Sequence, residues 1–176
     1  MKIEKTIKMH LETERLVINA FSPSDKEVWR TIEASAEVRK YIDGQPLNPK
    51  DADAYIDEII ESYRTNGFGR YAVRHRESSL LMGMCGFRAT SYGLDFGYRY
   101  APEYWGQGYG FEAAKAVLDY GLNMLKLDCI VALAFKANSA SIRIIENLNF
   151  EPLGPVVIEG ETVEKYEMTQ SIWQNR

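Results

Sequence analysis

The sequence predicts one mixed α/β (α+β) domain, and three observations support that fold class. Hydrophobic residues make up 45% of the 176 residues and charged residues 26%, which is the balance of a globular protein with a substantial core. Segments with helical spacing of apolar residues alternate with strand-like segments. Three short strand-like runs follow one another between residues 69 and 100, which predicts an antiparallel meander. The predicted order of elements is β-α-α-β-β-β-α-β-α-β-β.

The N-terminal part of the chain predicts one strand and two helices. Apolar residues concentrate in Leu11–Phe21, which we predict to be the first strand. The cluster Ser22–Asp25 combines turn formers with capping residues, so we expect a helix from there to about Lys40. Asn48 and Pro49 are a capping residue and a first-turn proline, and they predict the start of a second helix with one apolar stripe.

The C-terminal part alternates strands with two further helices and ends in a hairpin. Turn residues separate the strands of the meander, and the long helix that follows presents one apolar face. Asn149 suits the left-handed position that ends the last predicted helix. We predict strands at Gly69–Arg76, Leu80–Ala89, Leu94–Tyr100, Cys129–Phe135, Val156–Ile158 and Val163–Thr169, and helices at Gly108–Lys126 and Ser139–Leu148.

A glycine-dense turn, Tyr104–Ala113, is the most informative local feature. Gly106, Gly108 and Gly110 occupy alternate positions, and their missing side chains let a ligand approach the backbone closely. The turn leads into a helix whose first free N–H groups carry the positive end of the helix dipole. Because helix N-termini of this kind bind phosphates, we expect a phosphate-bearing ligand here. The alternative is a glycine-rich turn that binds no ligand.

A dinucleotide site is a second alternative for this turn, because Gly108-x-Gly110-x-x-Ala113 matches a variant Rossmann fingerprint with Asp128 downstream. Three features oppose it. Residues 101–104 separate the preceding strand from the glycines, whereas a Rossmann turn follows its strand almost directly. Asp128 precedes the next strand instead of ending it. The remaining chain is also too short for a second mononucleotide-binding half.

Residue counts exclude several function classes. A net charge of −4 gives no broad basic surface for nucleic acid. The two histidines, His10 and His75, lie far apart without paired ligand spacing, which argues against a metal site and against a histidine-dependent hydrolase. Cys85 and Cys129 each lie in an apolar, strand-like run, so we expect both to be buried small hydrophobic residues, with a disulfide or a nucleophile as the alternative.

We expect neither a membrane helix nor an N-terminal signal peptide in this sequence. No segment has the apolar length of a membrane helix, and the N-terminus lacks the apolar core of a signal peptide. We therefore expect a cytoplasmic protein with no membrane partner. Residues 1–10 are expected to form a loose leader and residues 11–176 a single domain.

Three separated motifs carry a resemblance to a known family. They are Leu11-Glu-Thr-Glu-Arg-Leu16, Phe96–Gly110, and Asn138-x-x-Ser141 followed by Glu146–Phe150. In this order they resemble the opening strand, the strand with its pyrophosphate loop, and the next helix of the GNAT family of acetyl-coenzyme A-dependent N-acetyltransferases, in particular its RimJ/RimL-type branch of ribosomal-protein alanine acetyltransferases. The likeness covers nearly the whole chain.

The resemblance implies a GNAT fold, a mixed and mostly antiparallel sheet of about six to seven strands flanked by four helices. It implies that the strand Leu94–Tyr100 parts from the following strand, and that acetyl-coenzyme A lies in the opening as co-substrate with its diphosphate on the loop amides. Backbone donors near the end of that strand would stabilise the tetrahedral oxyanion. Lys136 and Arg143 are candidates for the 3′-phosphate. The residues implied to bind acetyl-coenzyme A are Tyr98, Arg99, Tyr100, Trp105, Gly106, Gln107, Gly108, Tyr109, Gly110, Phe111, Glu112, Asn138, Ser141 and Arg143.

Acetyl transfer requires a neutral attacking amine and a proton for the departing thiolate. A lysine amine of pKa about 10.4 is about 0.1% neutral at pH 7, whereas an α-amine of pKa about 8 is on the order of 10% neutral and needs less help from a base. Asp95 and Glu103 are the candidate bases, acting directly or through water, and a solvated surface carboxylate is the alternative for each. The resemblance makes Ser141 the candidate acid for the thiolate; the alternative is a serine that bonds local backbone.

These inferences predict an N-acetyltransferase acting on a primary amine, by direct attack on the thioester in a ternary complex, with a protein N-terminal α-amine as the favoured acceptor. The alternatives are an acetyltransferase for a small amine (polyamine, aminoglycoside or amino acid) and a non-catalytic coenzyme A-binding sensor. The loop Tyr41–Pro49 and the hairpin around Val156–Glu164 are expected to border the acceptor. No metal is expected, and the resemblance allows a homodimer. The acidic residues of the two segments, which either favour a cationic amine or are charged tips of exposed loops, are Asp43, Glu159, Glu161 and Glu164.

Overall fold

A computed structural model describes residues 9–175 and contains one eight-stranded sheet. In chain order the strands are β1 (His10–Glu12), β2 (Leu16–Asn19), β3 (Arg70–His75), β4 (Leu81–Thr90), β5 (Gly93–Tyr100), β6 (Ile130–Ala134), β7 (Glu151–Ile158) and β8 (Glu161–Met168). They lie in the order β1-β2-β3-β4-β5-β6-β8-β7. Every neighbouring pair is antiparallel except β5 and β6, which are parallel. The mixed, mostly antiparallel sheet is confirmed, with more strands than expected.

Six helices within residues 9–175 flank the sheet, two more than expected. They are α1 (Lys26–Glu33), α2 (Ala36–Arg39), α3 (Pro49–Asn66), α4 (Tyr109–Asn123), α5 (Ser139–Asn147) and α6 (Gln170–Gln174). Short 3-10 turns lie at Pro23–Asp25 and Pro102–Tyr104. In this part of the chain, no helix combines the length and the apolar character needed to cross a membrane.

The strand predicted over residues 11–21 is divided into β1 and β2. The chain turns between them, where the Thr13 N–H donates to the Leu16 carbonyl at 3.0 Å, and the two strands then pair with each other. Residues 1–8 of the predicted leader lie outside the described residues. Met9 is buried and His10 begins β1, so both of these residues belong to the folded domain.

The first predicted helix is also divided. Ser35 has an extended backbone (φ −81°, ψ 116°), and its side chain accepts a hydrogen bond from the Val38 N–H. Serine competes with the helix for backbone hydrogen bonds, so it ends α1 and begins α2. The prediction of one continuous helix to Lys40 was wrong for this reason.

Other local predictions are confirmed. The Asn48 side chain accepts from the Asp51 N–H at 2.9 Å, capping α3, which begins at Pro49. Asn149 adopts the predicted left-handed conformation (φ 62°) after α5. The prediction that both cysteines are buried holds for Cys85 and is wrong for Cys129, which lies exposed just before β6.

Helices cover both faces of the sheet, so the domain has two apolar cores. α4, α5 and α6 pack on one face and α1 and α3 on the other. Gly121 allows α4 to lie close to β4, since a Cβ atom there would lie 2.3 Å from Cζ of Phe87. Close packing of this kind fixes the axis of α4, and therefore the position of its N-terminus.

The sheet opens between β5 and β6. The two strands pair only at Leu94 with Ile130 and at Asp95 with Val131. Beyond these pairs β5 continues beside β4 to Tyr100, while β6 continues beside β8. The predicted parting of the two strands is therefore present, and the exposed backbone edge of β5 faces the gap.

Candidate active site

The loop after β5 leads the chain into the N-terminus of α4. Gly106 and Gly108 both adopt left-handed backbone conformations (φ 70° and 83°), which glycine accepts without strain. Gly108 is the N-cap of α4, and the first helical hydrogen bond of this turn runs from the Glu112 N–H to the Gly108 carbonyl at 3.1 Å. The amides of residues 108–111 precede that bond, so they are the free donors at the positive end of the helix.

The side chains of this loop fold back onto its own backbone. The Trp105 indole N–H donates to the Tyr100 carbonyl at 2.8 Å, and the Gln107 side-chain amide donates to the Glu103 carbonyl at 2.7 Å. Both bonds stabilise the turn and leave its amides open. A Cβ atom at Gly106 would meet nothing within 4 Å, so a ligand has room to reach the backbone there.

Two hydroxyl groups meet beside the open half of β5. The Tyr98 hydroxyl lies 3.1 Å from Oγ of Ser141 and donates to the Ser141 carbonyl at 3.0 Å. Asn138 caps α5 by accepting from the Ser141 N–H at 3.3 Å, which orients this turn. Burial raises the pKa of Tyr98 well above its usual value, so the phenol keeps its proton at neutral pH. The structure thus brings together three residues that the sequence predicted.

Residues 15–151 match the family model of the acetyltransferase (GNAT) domain. The chain belongs to the GNAT family. YoaA of Bacillus subtilis (strain 168), an uncharacterized N-acetyltransferase, is 28% identical over 148 residues, covering 82% of this chain and 84% of YoaA. The N-acetyltransferase p20 of Bacillus licheniformis, also uncharacterized, is 27% identical over 148 residues, covering 82% and 83% of the two chains.

Solved structures share the fold. A GNAT-family acetyltransferase from Bacillus anthracis superposes with a TM-score of 0.81 at 24% identity, covering 93% of this chain and 99% of that one. RimL, a ribosomal alpha-N-protein acetyltransferase in complex with coenzyme A, has a TM-score of 0.79 at 15% identity, covering 92% and 98%. These likenesses confirm the GNAT fold expected from the sequence.

As a GNAT acetyltransferase, this protein uses acetyl-coenzyme A, and the loop fits that co-substrate. The free amides of residues 108–111 and the bare glycine backbone suit a diphosphate. The gap beside β5 offers a strand edge to the peptide-like pantetheine arm. Within residues 9–175, no group of three or more His, Cys, Asp or Glu side chains is arranged to hold a metal ion.

Several predicted co-substrate contacts are restricted to backbone. The Arg99 side chain passes to the opposite face of the sheet and pairs with Glu33. The Tyr100 ring is buried in the core. Only the main chain of these two residues is available to the gap. Arg143 and Lys136 are exposed near α5, as a role at the 3′-phosphate would require.

Asp95, a candidate base, forms an ion pair with the buried Arg70. The Arg70 guanidinium also donates to the carbonyls of Gly86 and Gly97, and it lies over Gly97, where a Cβ atom would be 2.9 Å from Nη2. The structure therefore places the Asp95 carboxylate against Arg70 and not beside the Tyr98 and Ser141 hydroxyls.

Glu103, the other candidate base, lies on the outer side of the loop. It is exposed and lines an open groove with His75, Ser78 and Leu80 of the β3–β4 turn. Neither Tyr98 nor Ser141 lines that groove. The structure does not bring Glu103 to the two hydroxyl groups.

The face of β5 opposite α4 carries a buried charge network that sequence reasoning missed. Glu33 of α1 is fully buried and pairs with both Arg99 and Arg39. Arg39 also pairs with Asp43, and this hydrogen-bonded pair lowers the pKa of Asp43. A signal was present in the sequence, because Glu33 follows Trp29 by one helical turn within the apolar stripe of α1.

The two segments expected to border the acceptor differ in their contacts. The Tyr41 hydroxyl donates to the Ala137 carbonyl at 3.1 Å, and its ring packs against Phe135, so this loop reaches across to the far side of the gap. On the β7–β8 hairpin, Glu159 and Glu161 are exposed and Glu164 is half-buried.

Proposed function

We propose that this protein transfers the acetyl group of acetyl-coenzyme A to a primary amine, with a protein N-terminal α-amine as its acceptor. One observation carries the choice of acceptor. Three acidic side chains beside the opposite face of β5 are each paired with an arginine: Asp95 with Arg70, and Glu33 and Asp43 with Arg39. A carboxylate paired in this way already has a cationic partner in the protein.

A site whose carboxylates Asp95, Glu33 and Asp43 are paired with arginines favours an acceptor that is already partly neutral. At pH 7 an α-amine of pKa about 8 is on the order of 10% neutral, about a hundredfold more than a lysine amine of pKa about 10.4. The α-amine can therefore attack after losing its proton to solvent. RimL, a ribosomal alpha-N-protein acetyltransferase, shares the fold that this chemistry would use.

Each part of the site has a task in this reaction. The co-substrate supplies the acetyl thioester. The amides of residues 108–111 hold its diphosphate, and backbone donors near Tyr98 stabilise the oxyanion that forms when the amine nitrogen bonds the carbonyl carbon. As the carbon–sulfur bond breaks, the Ser141 hydroxyl gives its proton to the thiolate. The nitrogen, which gains a positive charge when it bonds the carbonyl carbon, gives up one proton as the amide forms, and a proton from solvent restores the Ser141 hydroxyl. The Tyr98 hydroxyl, 3.1 Å away, orients Ser141.

A small cationic amine is the second candidate acceptor, and one observation favours it. Glu159, Glu161 and Glu164 cluster on the β7–β8 hairpin and give that rim a negative charge. Such a rim would attract a polyamine or an aminoglycoside through long-range electrostatics.

The test is thiol release from acetyl-coenzyme A across a panel of amines. The central pair is a peptide with a free N-terminal alanine and one internal lysine, and the same peptide with its α-amine blocked. We expect release with the first and none with the second. Release only with spermidine, an aminoglycoside or a free amino acid would replace the proposal with the second candidate. Tight coenzyme A binding without release from any amine would favour a non-catalytic sensor. A cytoplasmic location and a homodimer stay predictions.

A further inference from the structure

The turn between β1 and β2 reaches the first turn of α4, and this contact gives a role to the Leu11–Leu16 motif. Glu112 lies 97 residues from Arg15 in the chain. Its carboxylate accepts hydrogen bonds from the Thr13 hydroxyl at 2.6 Å, the Arg15 backbone N–H at 2.9 Å and the Arg15 Nε at 2.7 Å. Arg15 Nη2 completes a two-pronged ion pair at 2.7 Å.

The same guanidinium also holds the loop. Arg15 Nη1 donates to the Gln107 carbonyl at 2.9 Å, and the guanidinium lies over the Tyr109 ring, 4.3 Å from its centre. A Cβ atom at Gly108 would lie 3.3 Å from Arg15 Nη2. One side chain therefore contacts residues on both sides of Gly108, the glycine at which the loop becomes the helix.

The charge of Glu112 makes this contact necessary for an anionic ligand. Although burial disfavours the charged form, the hydrogen bonds from Thr13 and Arg15 lower the pKa of Glu112, so it is ionised at neutral pH. It lies in the first turn of α4, at the positive helix end that a diphosphate would use. An uncompensated carboxylate there would repel the diphosphate, and the pairing with Arg15 removes that repulsion.

We propose that Thr13, Arg15 and Glu112 form a clamp that holds the pyrophosphate loop in its ligand-binding shape. Arg15 is a positioning residue in this proposal: it fixes the Gln107 carbonyl on one side of Gly108 and the Glu112 carboxylate on the other. The clamp acts on coenzyme A binding and does not depend on which amine is the acceptor.

The first test is Arg15→Met, which keeps the length of the side chain and removes its donors. We expect coenzyme A affinity, measured by calorimetry without an acceptor, to fall about tenfold, the effect of one charge-assisted contact. Arg30→Met is the matched control, because Arg30 makes a two-pronged pair with Asp53 on the far helices α1 and α3. It should bind coenzyme A as the unmodified protein does. Equal binding by Arg15→Met and the unmodified protein would overturn the proposal.

A second readout separates loop positioning from a general loss of structure. With any accepted amine, kcat/KM for acetyl-coenzyme A should fall about tenfold in Arg15→Met. For S-acetyl-pantetheine, which lacks the diphosphate, it should fall less than about twofold. Equal losses for the two thioesters would mean a fold-wide defect and would contradict the clamp.

Two conservative variants keep the proposal testable if Arg15→Met folds poorly. Arg15→Lys retains the charge but cannot bridge Glu112 and Gln107 with a planar fork, so it should restore only part of the affinity. Glu112→Gln keeps the shape and loses the ion pair, and we expect about threefold weaker coenzyme A binding. Tighter binding by Glu112→Gln would mean that Glu112 merely opposes the ligand, and would overturn the positioning role.

Discussion

The two sides of β5 carry different kinds of groups. On the side of the gap and the pyrophosphate loop, the groups available to a ligand are main-chain donors, bare glycine positions such as Gly106, and the paired hydroxyls of Tyr98 and Ser141. On the opposite side, buried charges dominate, with Glu33 between Arg39 and Arg99, and Asp95 against Arg70. The first side depends on local backbone shape. The second depends on ion pairs between distant elements, and this difference sets how each side responds to substitution.

The largest expected effect comes from breaking the charged side. Glu33→Ala leaves the buried Arg39 and the half-buried Arg99 without their shared partner. We expect the free energy of unfolding to fall by about 3–5 kcal/mol. Urea denaturation measures this. Asp53→Ala, which removes the carboxylate from the exposed pair with Arg30, is the control and should change stability little. A loss from Glu33→Ala no larger than that of the control would mean that the network contributes nothing.

A substitution in the glycine-rich loop should reduce coenzyme A affinity more than it reduces the stability of the fold. In Gly108→Val the valine has to adopt φ 83°, a left-handed backbone conformation that costs a residue with a side chain about 1–2 kcal/mol of free energy. Its side chain would also crowd Arg15 and cover the amides. We expect coenzyme A affinity to fall about 10²-fold, or about 2.7 kcal/mol. Gly154→Val is the matched control, with φ 88° and open space around it. If both variants bind coenzyme A equally well, the loop is not the diphosphate site.

The smallest effect is expected from removing either of the two hydroxyl groups beside the gap, those of Tyr98 and Ser141. Ser141→Ala should lower kcat about tenfold, less than a typical general acid contributes, because a thiolate of pKa about 8.5 leaves without full protonation. Tyr98→Phe should do the same, and the double variant should be no worse than either, since the pair acts as a unit. Coenzyme A affinity should stay within about twofold. An additive loss in the double variant would assign the two hydroxyls separate tasks.

The contrast between the two sides also explains what the sequence could predict. The turn at Gly106–Gly110 before α4, the Asn48 cap and the left-handed Asn149 depend on residues near one another in the chain, and the local structure of each was predicted correctly. The parting of the strands was available only through the family resemblance, because no local pattern encodes it.

The charged side escaped prediction because its partners are far apart in the chain. Arg99 meets Glu33 across 66 residues, and Arg70 meets Asp95 across 25. In the sequence alone, a carboxylate such as Asp95 is a candidate base, because its ion pair with Arg70 is visible only in the structure. The division of the first helix at Ser35 was not predicted for another reason. The capping preference of serine favours a break there, whereas the apolar stripe favours one continuous helix. The spacing of apolar residues alone does not show which of the two preferences is stronger.

The most direct test of the central claim, that the enzyme supplies no base and the acceptor amine deprotonates by itself, is the pH dependence of kcat/KM for two peptide acceptors. One peptide begins with alanine and the other with β-alanine, whose amine is more basic. We predict that the rate rises through the pKa of each amine, about 8 for the alanine peptide, and shifts upward for the other. No fall is expected up to about pH 10, because burial raises the pKa of Tyr98 above that range. An inflection at the same pH for both peptides would reveal an enzyme base and contradict the account.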